Sequence, residues 1–489
     1  MKVAISALVC ALAGTALADP TAEQAARQRA EQLEKAARDS GNPEKYVAAG
    51  TSYLELYNAN PSSTDGDELL YNAAVAFEEG HAVAGATQAF ALLEKFYPNS
   101  KITARATARL ARLYGDIAMY DKAAEKLEQY AKKYAGEKDA LDAISDAAYY
   151  RKAIGDRDKA IADTQYFIKT FGAKRPKDAA DAMWSLTSLY DSDPNAQLAH
   201  LRDYIHTFGS KGGADRLVIA HAKMGELLWK QSCPATMHDG LCVKSNESAN
   251  KTCGKGTTHT LVPIKRDERK LKEALQEFMA ASKDFEKAGD DPAARYYFAQ
   301  GKIAEADVEM ESFLGLGLPK NLDFDPANKT KHELSLKRLD EWTRLKTKSA
   351  ETANKKYEAV FAIKDAATSI TAAERFGLLT LSFQSALVTG EIPRDVKRGP
   401  KAADKIKAYC DAMTTLAEPL EEKSMQAFWV CLAKSTELSW FDESSRVCER
   451  ELARMRPDEF PIPKELRADA TNVAPVTASE PPPTYVELP

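Results

Sequence analysis

The sequence predicts an all-α protein of about nine helical hairpins stacked into a superhelical solenoid. Two observations support this. A bulky or aromatic pair recurs every 37–39 residues in the first half of the chain, and helical periodicity continues from about residue 264 to residue 455. The composition agrees, because 44% hydrophobic and 28% charged residues exclude both a largely disordered chain and a multi-span membrane protein.

Residues 1–18 have the features of a secretory signal peptide. A charged Lys2 precedes a short apolar run, and Ala16-Leu17-Ala18 supplies the small residues that cleavage requires. A lipoprotein signal at Cys10 and a buried helix are the alternatives, although Val9 stands where a lipoprotein needs a small residue. No later apolar run reaches the roughly 20 residues that a membrane span needs. We expect an exported chain in the periplasm or at the outer-membrane periphery.

The charge balance argues against nucleic acid as a partner. There are 67 basic and 72 acidic side chains in 489 residues, for a net charge of −5. Phosphate binding requires a clustered positive surface. Basic runs such as 265–272 are interrupted by acidic residues and are typical of a solvated helix face.

The repeat is defined by aromatic anchors near the end of every second helix, each with an apolar or aromatic partner four residues earlier. Residues four apart lie on one helix face, so each unit presents the same face. The predicted packing anchors are Tyr57, Phe96, Tyr134, Phe171 and Phe208, and their partners are Tyr53, Leu92, Tyr130, Phe167 and Tyr204.

An alanine-rich helix lies between successive anchors, and Pro98, Gly136, Gly172 and Gly209 end the second helices. Each unit is therefore a hairpin with one open apolar face, which only a neighbouring hairpin can bury. We assign residues 19–231 to this N-terminal solenoid.

The segment LARLYGDIAMYDKAAEKLEQYAKKY (110–134) resembles the tetratricopeptide repeat family. The pattern YPNS…A…Y…A is further similar to the BamD-type and CpoB-type repeat proteins of the bacterial envelope, although the lipid-bearing cysteine of the BamD type is missing. The resemblance implies a concave surface, lined by first helices, that binds proteins or peptides. The implied contact candidates are Tyr71, Arg109, Arg112, Tyr150 and Trp184, and the alternative for each is packing within the repeat or simple exposure.

Residues 232–263 break the helical pattern. They contain turn-forming residues and three cysteines, and we interpret them as an insertion between the two helices of one hairpin, either functional or a decorative stapled loop. Beyond them we assign a C-terminal helical-hairpin solenoid (264–456) and a proline-rich tail (457–489), mostly disordered, that is solvated or binds a partner. The predicted C-terminal helices are 292–314, 329–364, 368–390, 401–417, 422–438 and 441–455.

The mature chain keeps six cysteines, an even number that favours disulfides in an exported protein. Zinc is the alternative for the group Cys233, His238, Cys242, Cys253 and His259, but the spacings match no tight zinc knuckle. We therefore predict no metal site. Reduced thiols are the other alternative.

The tetratricopeptide pattern places Cys431 and Cys448 on facing positions of the last hairpin, which favours a bridge between them. Reduced core cysteines are the alternative there. Within the insertion, Cys233–Cys242 is marginally ahead of Cys242–Cys253, and Cys410 is left without an assigned partner.

No catalytic or cofactor-binding residue is predicted. The sequence lacks HExxH, GxSxG, Walker and dinucleotide-binding motifs. We expect no enzyme and no cofactor, but an exported scaffold for proteins or peptides of an envelope machine involved in assembly, secretion, motility or cell-wall coordination. The alternative is a peptidoglycan-acting enzyme or its accessory subunit, which a cavity with paired carboxylates would favour.

Overall fold

The computed structural model describes residues 20–209 and 211–461. Within these residues the fold is all-α, as predicted, with seventeen α-helices, one short 3₁₀ helix and one two-stranded sheet. Two compact units divide between Gly212 and Gly213. The predicted signal peptide and residues 462–489 of the predicted tail lie outside the described residues.

The N-terminal unit is a run of antiparallel helices in which each helix packs on the next. Their bounds are α1 Pro20–Ser40, α2 Pro43–Ala59, α3 Gly66–Glu79, α4 Val83–Phe96, α5 Thr103–Asp116, α6 Tyr120–Lys133, α7 Ala140–Ala153, α8 Arg157–Phe171, α9 Pro176–Ser185, the 3₁₀ helix Thr187–Tyr190, and α10 Pro194–Phe208.

The backbone repeats with the same period as the sequence. The turns α3–α4, α5–α6 and α7–α8 each contain one residue in the left-handed region, namely His81 (φ 57°), Ala118 (φ 58°) and Gly155 (φ 78°). These positions are 37 residues apart. Three successive hairpins therefore share one turn geometry, whichever residue occupies it.

Four of the five predicted packing anchors pack within the unit. Two of them are buried, and three contact the aromatic partner four residues earlier. Tyr57 and Phe208 are each 5% exposed, and the ring centroids of Tyr130–Tyr134, Phe167–Phe171 and Tyr204–Phe208 are 5.4, 6.1 and 6.2 Å apart.

Phe96 is the exception, and its assignment as a packing anchor is wrong, because its side chain is 54% exposed. The core-facing positions at the end of α4 are shifted by one residue from the predicted ones. Leu93 is fully buried, and the ring of Tyr97 lies edge-on to Tyr57 at 6.4 Å while its hydroxyl donates to the Pro61 carbonyl at 3.0 Å. One helical position turns a side chain by about 100°, which is enough to move Phe96 off the core face, while Leu92 stays partly buried against the core.

The C-terminal unit begins with a hairpin that the insertion interrupts. α11 packs along α12, and the intervening residues include the antiparallel strands β1 and β2. The unit boundary therefore lies at Gly212, earlier than the predicted 231. The bounds are α11 Ala214–Ser232, β1 Val243–Asn250, β2 Thr257–Pro263, α12 Glu268–Phe285, α13 Pro292–Leu314, α14 Lys329–Phe361, α15 Ala366–Thr389, α16 Ala402–Glu437 and α17 Glu443–Met455.

The prediction of separate helices at 401–417 and 422–438 is wrong, because α16 runs unbroken through Pro419. Contacts beyond this proline hold the helix on α15. Ser424 Oγ donates to the Gly377 carbonyl at 2.8 Å, and the ring of Phe428 occupies the space beside Gly377, where a Cβ would lie 2.3 Å from it. Tertiary packing thus outweighs the local cost of an interior proline.

The packed part of the C-terminal unit extends past the end of α17. Phe460, which was predicted to belong to the tail from residue 457, contacts the C-terminal core.

Three disulfides lie in the C-terminal unit. Cys233–Cys242 closes a loop before β1, and Cys431–Cys448 joins α16 to α17; these are the two pairs that the sequence favoured. Cys253–Cys410 ties the β-hairpin to α16 across 157 positions. That pair was not predicted, since a contact between an insertion and a helix so far along the chain has no local sequence signal.

Candidate functional site

A groove of about 680 Å³ opens between α7 and α9, with α8 behind it. Its floor is made of small or apolar side chains, and polar side chains line its edges. The lining residues are Leu141, Asp142, Ser145, Ala148, Tyr149, Lys152, Ala153, Thr164, Phe167, Asp178, Asp181, Ala182, Ser185 and Leu186.

The groove exists because the repeat places small residues at one position of its first helices. Tyr71, Ala108, Ser145 and Ala182 are successive residues at a spacing of 37. In α3 the position is filled by Tyr71, whose ring lies edge-on to Phe90 at 6.0 Å. Alanine and serine at the later positions leave open space between neighbouring first helices.

The groove combines an exposed aromatic ring with negative charge. Tyr149 lines this groove and is 69% exposed. Asp142 is exposed on the same helix, and Asp178 faces it from α9. Lys152 Nζ reaches from α7 to the Ser185 carbonyl at 2.8 Å and holds the two walls together. This arrangement suits a segment with an apolar side chain and neighbouring positive charge.

A second groove, of about 460 Å³, lies along α5, and most of its charged lining is positive. Lys101, Arg105, Arg109 and Arg112 line it, together with Tyr130, Glu137 and Asp139. The first helices of successive hairpins therefore present a basic surface and then an acidic one.

Two of the predicted contact residues, Arg109 and Arg112, also fasten α5 to the end of α3. Arg109 Nε donates to Glu78 Oε2 at 2.8 Å, and Arg112 pairs with the other oxygen of the same carboxylate. Arg109 is largely covered, with 21% of its side chain exposed, whereas Arg112 is 65% exposed. Of the two, Arg112 is the more accessible to a partner.

The remaining predicted contacts pack within the unit and do not line the α7–α9 groove. Tyr150 stacks on Tyr120 with ring centroids 5.2 Å apart, and Trp184 contacts Tyr204 at 5.1 Å. The sequence reasoning missed Tyr149. The repeat itself held the signal, because Tyr149 follows the predicted contact Arg112 by one period of 37 residues.

The C-terminal unit has a separate cavity of about 280 Å³, whose lining includes Asp307 and Arg375. Asp307 Oδ1 accepts hydrogen bonds from the Tyr357 hydroxyl at 2.6 Å and from Arg375 Nε at 3.0 Å. Arg375 also pairs with Glu374, which is fully buried. Burial raises the pKa of Glu374 to about 8 in spite of this arginine.

The carboxyl groups of Asp307 and Glu374 both pair with the guanidinium of Arg375. Asp307 is 3% exposed and Arg375 is 2% exposed, so the network joins α13, α14 and α15 inside the core. The Arg375 guanidinium pairs with both buried carboxyl groups, which offsets part of the cost of burying them. The network therefore acts as a structural link between helices.

Comparisons with known proteins give distant likenesses only. No family model matches the sequence, and no curated protein matches it. Among solved structures, a tetratricopeptide repeat protein from Parabacteroides merdae is 11% identical, with 63% of this chain and 99% of that chain covered and a TM-score of 0.26.

Two further structures are similarly remote. The tetratricopeptide domain of P58(IPK) and a Rap protein complexed with competence and sporulation factor are 11% and 10% identical. Each match covers 89% of this chain and 98% of that chain, with a TM-score of 0.20. At these scores the fold assignment rests on the helix pairs of this chain.

Proposed function

We propose that this protein is an exported scaffold that binds extended polypeptide segments in the grooves between its first helices. The observation that carries the proposal is the α7–α9 groove, where the exposed Tyr149 stands beside Asp142 and Asp178 over a floor of small side chains. An aromatic anchor in a concave surface with charged edges is a common arrangement in peptide recognition.

The chemistry of the groove indicates the partner. Acidic edges favour lysine or arginine in the bound segment, and the apolar floor accommodates one aliphatic or aromatic side chain between them. The α5 groove adds a preference for acidic residues elsewhere in the same partner. A polypeptide of mixed charge therefore fits the N-terminal unit better than a uniformly charged polymer.

Export is supported by the cysteines and by the predicted signal at residues 1–18. All six cysteines after Cys10 are paired, and disulfides persist in oxidising compartments. Among the described helices, none is long and apolar enough to cross a membrane. We propose that the protein works in the periplasm or at the outer-membrane periphery, in assembly, secretion, motility or cell-wall coordination.

A peptide-display selection on the oxidised protein tests this function. We expect selected peptides to carry a basic residue next to an apolar one. Tyr149→Ala should weaken their binding at least tenfold, because aromatic anchors dominate such contacts. Asp142→Lys should weaken basic peptides most.

The matched controls lie in the other unit. Phe441→Ala removes a 71% exposed aromatic ring, and Glu437→Lys reverses an exposed charge. Both should leave peptide affinity unchanged. If Tyr149→Ala and Asp142→Lys bind the selected peptides as tightly as these controls do, the groove is not the binding site.

A further inference from the structure

Two histidines and a glutamate of the insertion converge in the C-terminal unit. His238, Glu247 and His259 each place one potential ligand atom within 4.8 Å of the other two. They come from three separate backbone segments: the loop before β1, β1 itself and β2. The nearby cysteines are bonded in disulfides, so imidazole and carboxylate groups are the ligands that this region offers.

His259 is held in an orientation that suits a metal ligand. Its Nδ1 lies 2.7 Å from Glu451 Oε1, and Arg454 holds the other oxygen of that carboxylate at 2.6 Å. With Nδ1–H donated to Glu451, the lone pair of Nε2 points away, toward Ser245 Oγ at 2.8 Å. A carboxylate behind a histidine is the usual outer partner of a zinc ligand, because it fixes the tautomer and the ring.

Glu247 reaches this histidine because of a β-bulge. Asn246 pairs with Thr260 and Ala249 pairs with Thr258, so two residues of β1, Glu247 and Ser248, lie opposite the single residue His259. A bulge of this kind redirects side chains and is frequent beside functional sites. Glu247 is exposed, so its side chain has the freedom to adjust toward an ion.

His238 is placed by a tight turn inside the Cys233–Cys242 loop. Asp239 (φ 47°) and Gly240 (φ 82°) form its centre, and His238 exchanges backbone hydrogen bonds of 2.9 Å with Leu241. The His238 Nε2 atom is buried and makes no hydrogen bond within the described residues. Asp239 Oδ2 lies 3.2 Å from it, where it would pair with a protonated ring.

We propose that His238, Glu247 and His259 bind a divalent transition-metal ion of the zinc class. Two imidazoles and one carboxylate are a known three-ligand set for zinc, which leaves a fourth position for water. Tetrahedral zinc has ligand atoms about 3.4 Å apart, and the three candidate atoms lie within 4.8 Å of one another. The ion would link the β-hairpin to the loop closed by Cys233–Cys242.

Titration of the oxidised, chelator-stripped full chain with Zn²⁺ tests the site. We expect one equivalent to bind by calorimetry, with at least tenfold weaker binding for Glu247→Gln and for His238→Ala. Glu451→Gln keeps all three ligands but should cost 10–100-fold in affinity, the usual effect of losing an outer-shell carboxylate. The absorption of bound Co²⁺ should show nitrogen and oxygen ligands.

Two control variants show whether the loss of affinity is specific to these three side chains. Glu268→Gln and His206→Ala remove the same side-chain types at exposed positions elsewhere and should leave affinity unchanged. Because His259→Ala also loses the contact to Glu451, the exposed Glu247→Gln variant is the deciding one. The absence of a saturable site, or an affinity that Glu247→Gln and His238→Ala leave unaltered, would overturn the proposal. Binding that appears only after reduction of the disulfides would show cysteine ligands instead.

Discussion

At the scale of single residues, the repeat places an alanine where the backbone is left-handed. Ala118 has φ 58°, at the position that Gly155 fills one repeat later with φ 78°. A residue with a Cβ pays about 1–2 kcal/mol in this region, more than the extra chain entropy of a glycine costs. The hairpin α5–α6 thus carries local strain that α7–α8 avoids.

We predict that Ala118→Gly stabilises the protein by about 0.5–1 kcal/mol in urea unfolding, since relief of the strain exceeds the entropy loss. The reciprocal Gly155→Ala supplies the control and should destabilise by about the same amount. Its Cβ would meet nothing within 4 Å, so only the backbone conformation is tested. A loss of stability in Ala118→Gly would contradict a shared turn geometry.

The buried carboxyl group of Glu374 predicts how the stability of the protein depends on pH. The pKa of Glu374 is raised from 4.5 to about 8, chiefly by burial. The folded state therefore keeps a proton that the unfolded chain releases. The contribution of this group to stability is full below about pH 4.5 and is lost as the pH rises through about 8.

Glu374→Gln should remove this dependence. We expect the stability of the variant relative to wild type to improve by on the order of 1 kcal/mol or more between pH 5 and pH 8, since a tenfold change in proton affinity is about 1.4 kcal/mol. Urea unfolding at both pH values measures it. Glu437→Gln, whose side chain is 61% exposed, should show the wild-type slope. Parallel slopes for wild type and Glu374→Gln would refute a protonated Glu374.

At the scale of secondary-structure elements, Pro419 is the informative residue. It lies exposed inside α16, where it lacks an N–H and crowds the preceding turn. Pro419→Ala should therefore stabilise the C-terminal unit by about 1–3 kcal/mol in urea unfolding.

Pro292 offers the matched comparison, because it begins α13, where proline is well tolerated. Pro292→Ala should give no such gain. If Pro419→Ala also leaves stability unchanged, the proline would stand at a helix start and α16 would be two helices, as the sequence had suggested.

The same contrast explains which elements the sequence predicts. α13 was predicted with its observed bounds because Asp291 and Pro292 form a local start signal, and the Asp291 carboxylate does accept from the Ala294 N–H at 2.7 Å. The unbroken α16 depends on the packing of Phe428 against Gly377, which sequence spacing does not reveal. The β-hairpin was missed because its turn-forming residues hide the alternation of a strand.

At the scale of the whole molecule, the division into two units yields a prediction about fragments. α11 packs along α12, so a C-terminal fragment should begin at Gly213 and retain both helices. We expect residues 213–461 to be helical by circular dichroism and to unfold cooperatively in urea.

A fragment beginning at Cys233 supplies the comparison, since it follows the boundary that the sequence favoured and lacks α11. Without that helix, Phe278 of α12 loses its contact beside Gly225, and Ala281 loses its packing against Val218 and Ala222. This fragment should aggregate or unfold without cooperativity. Equal stability of the two fragments would place α11 with the N-terminal unit.

The sequence predicted the repeating part of the molecule well and its contact surfaces less well. Periodic apolar positions determine which helix faces are buried, so the hairpins followed from spacing alone. Whether a side chain is accessible depends on the side chains that pack around it, which spacing does not give. Tyr149 is exposed, whereas the adjacent Tyr150 stacks on Tyr120. Likewise, Glu247 reaches His259 only through a bulge in the pairing of two strands.

The Cys253–Cys410 bridge turns a third of the polypeptide into a covalent ring. A chain pulled from both ends would transmit tension through this bond, so the residues between the two cysteines would carry no load until it is reduced. Their release would add roughly 500 Å of extended chain, at about 3.4 Å for each of the 157 positions. A protease cut within the ring would likewise leave one molecule, with its two pieces separating only in reductant.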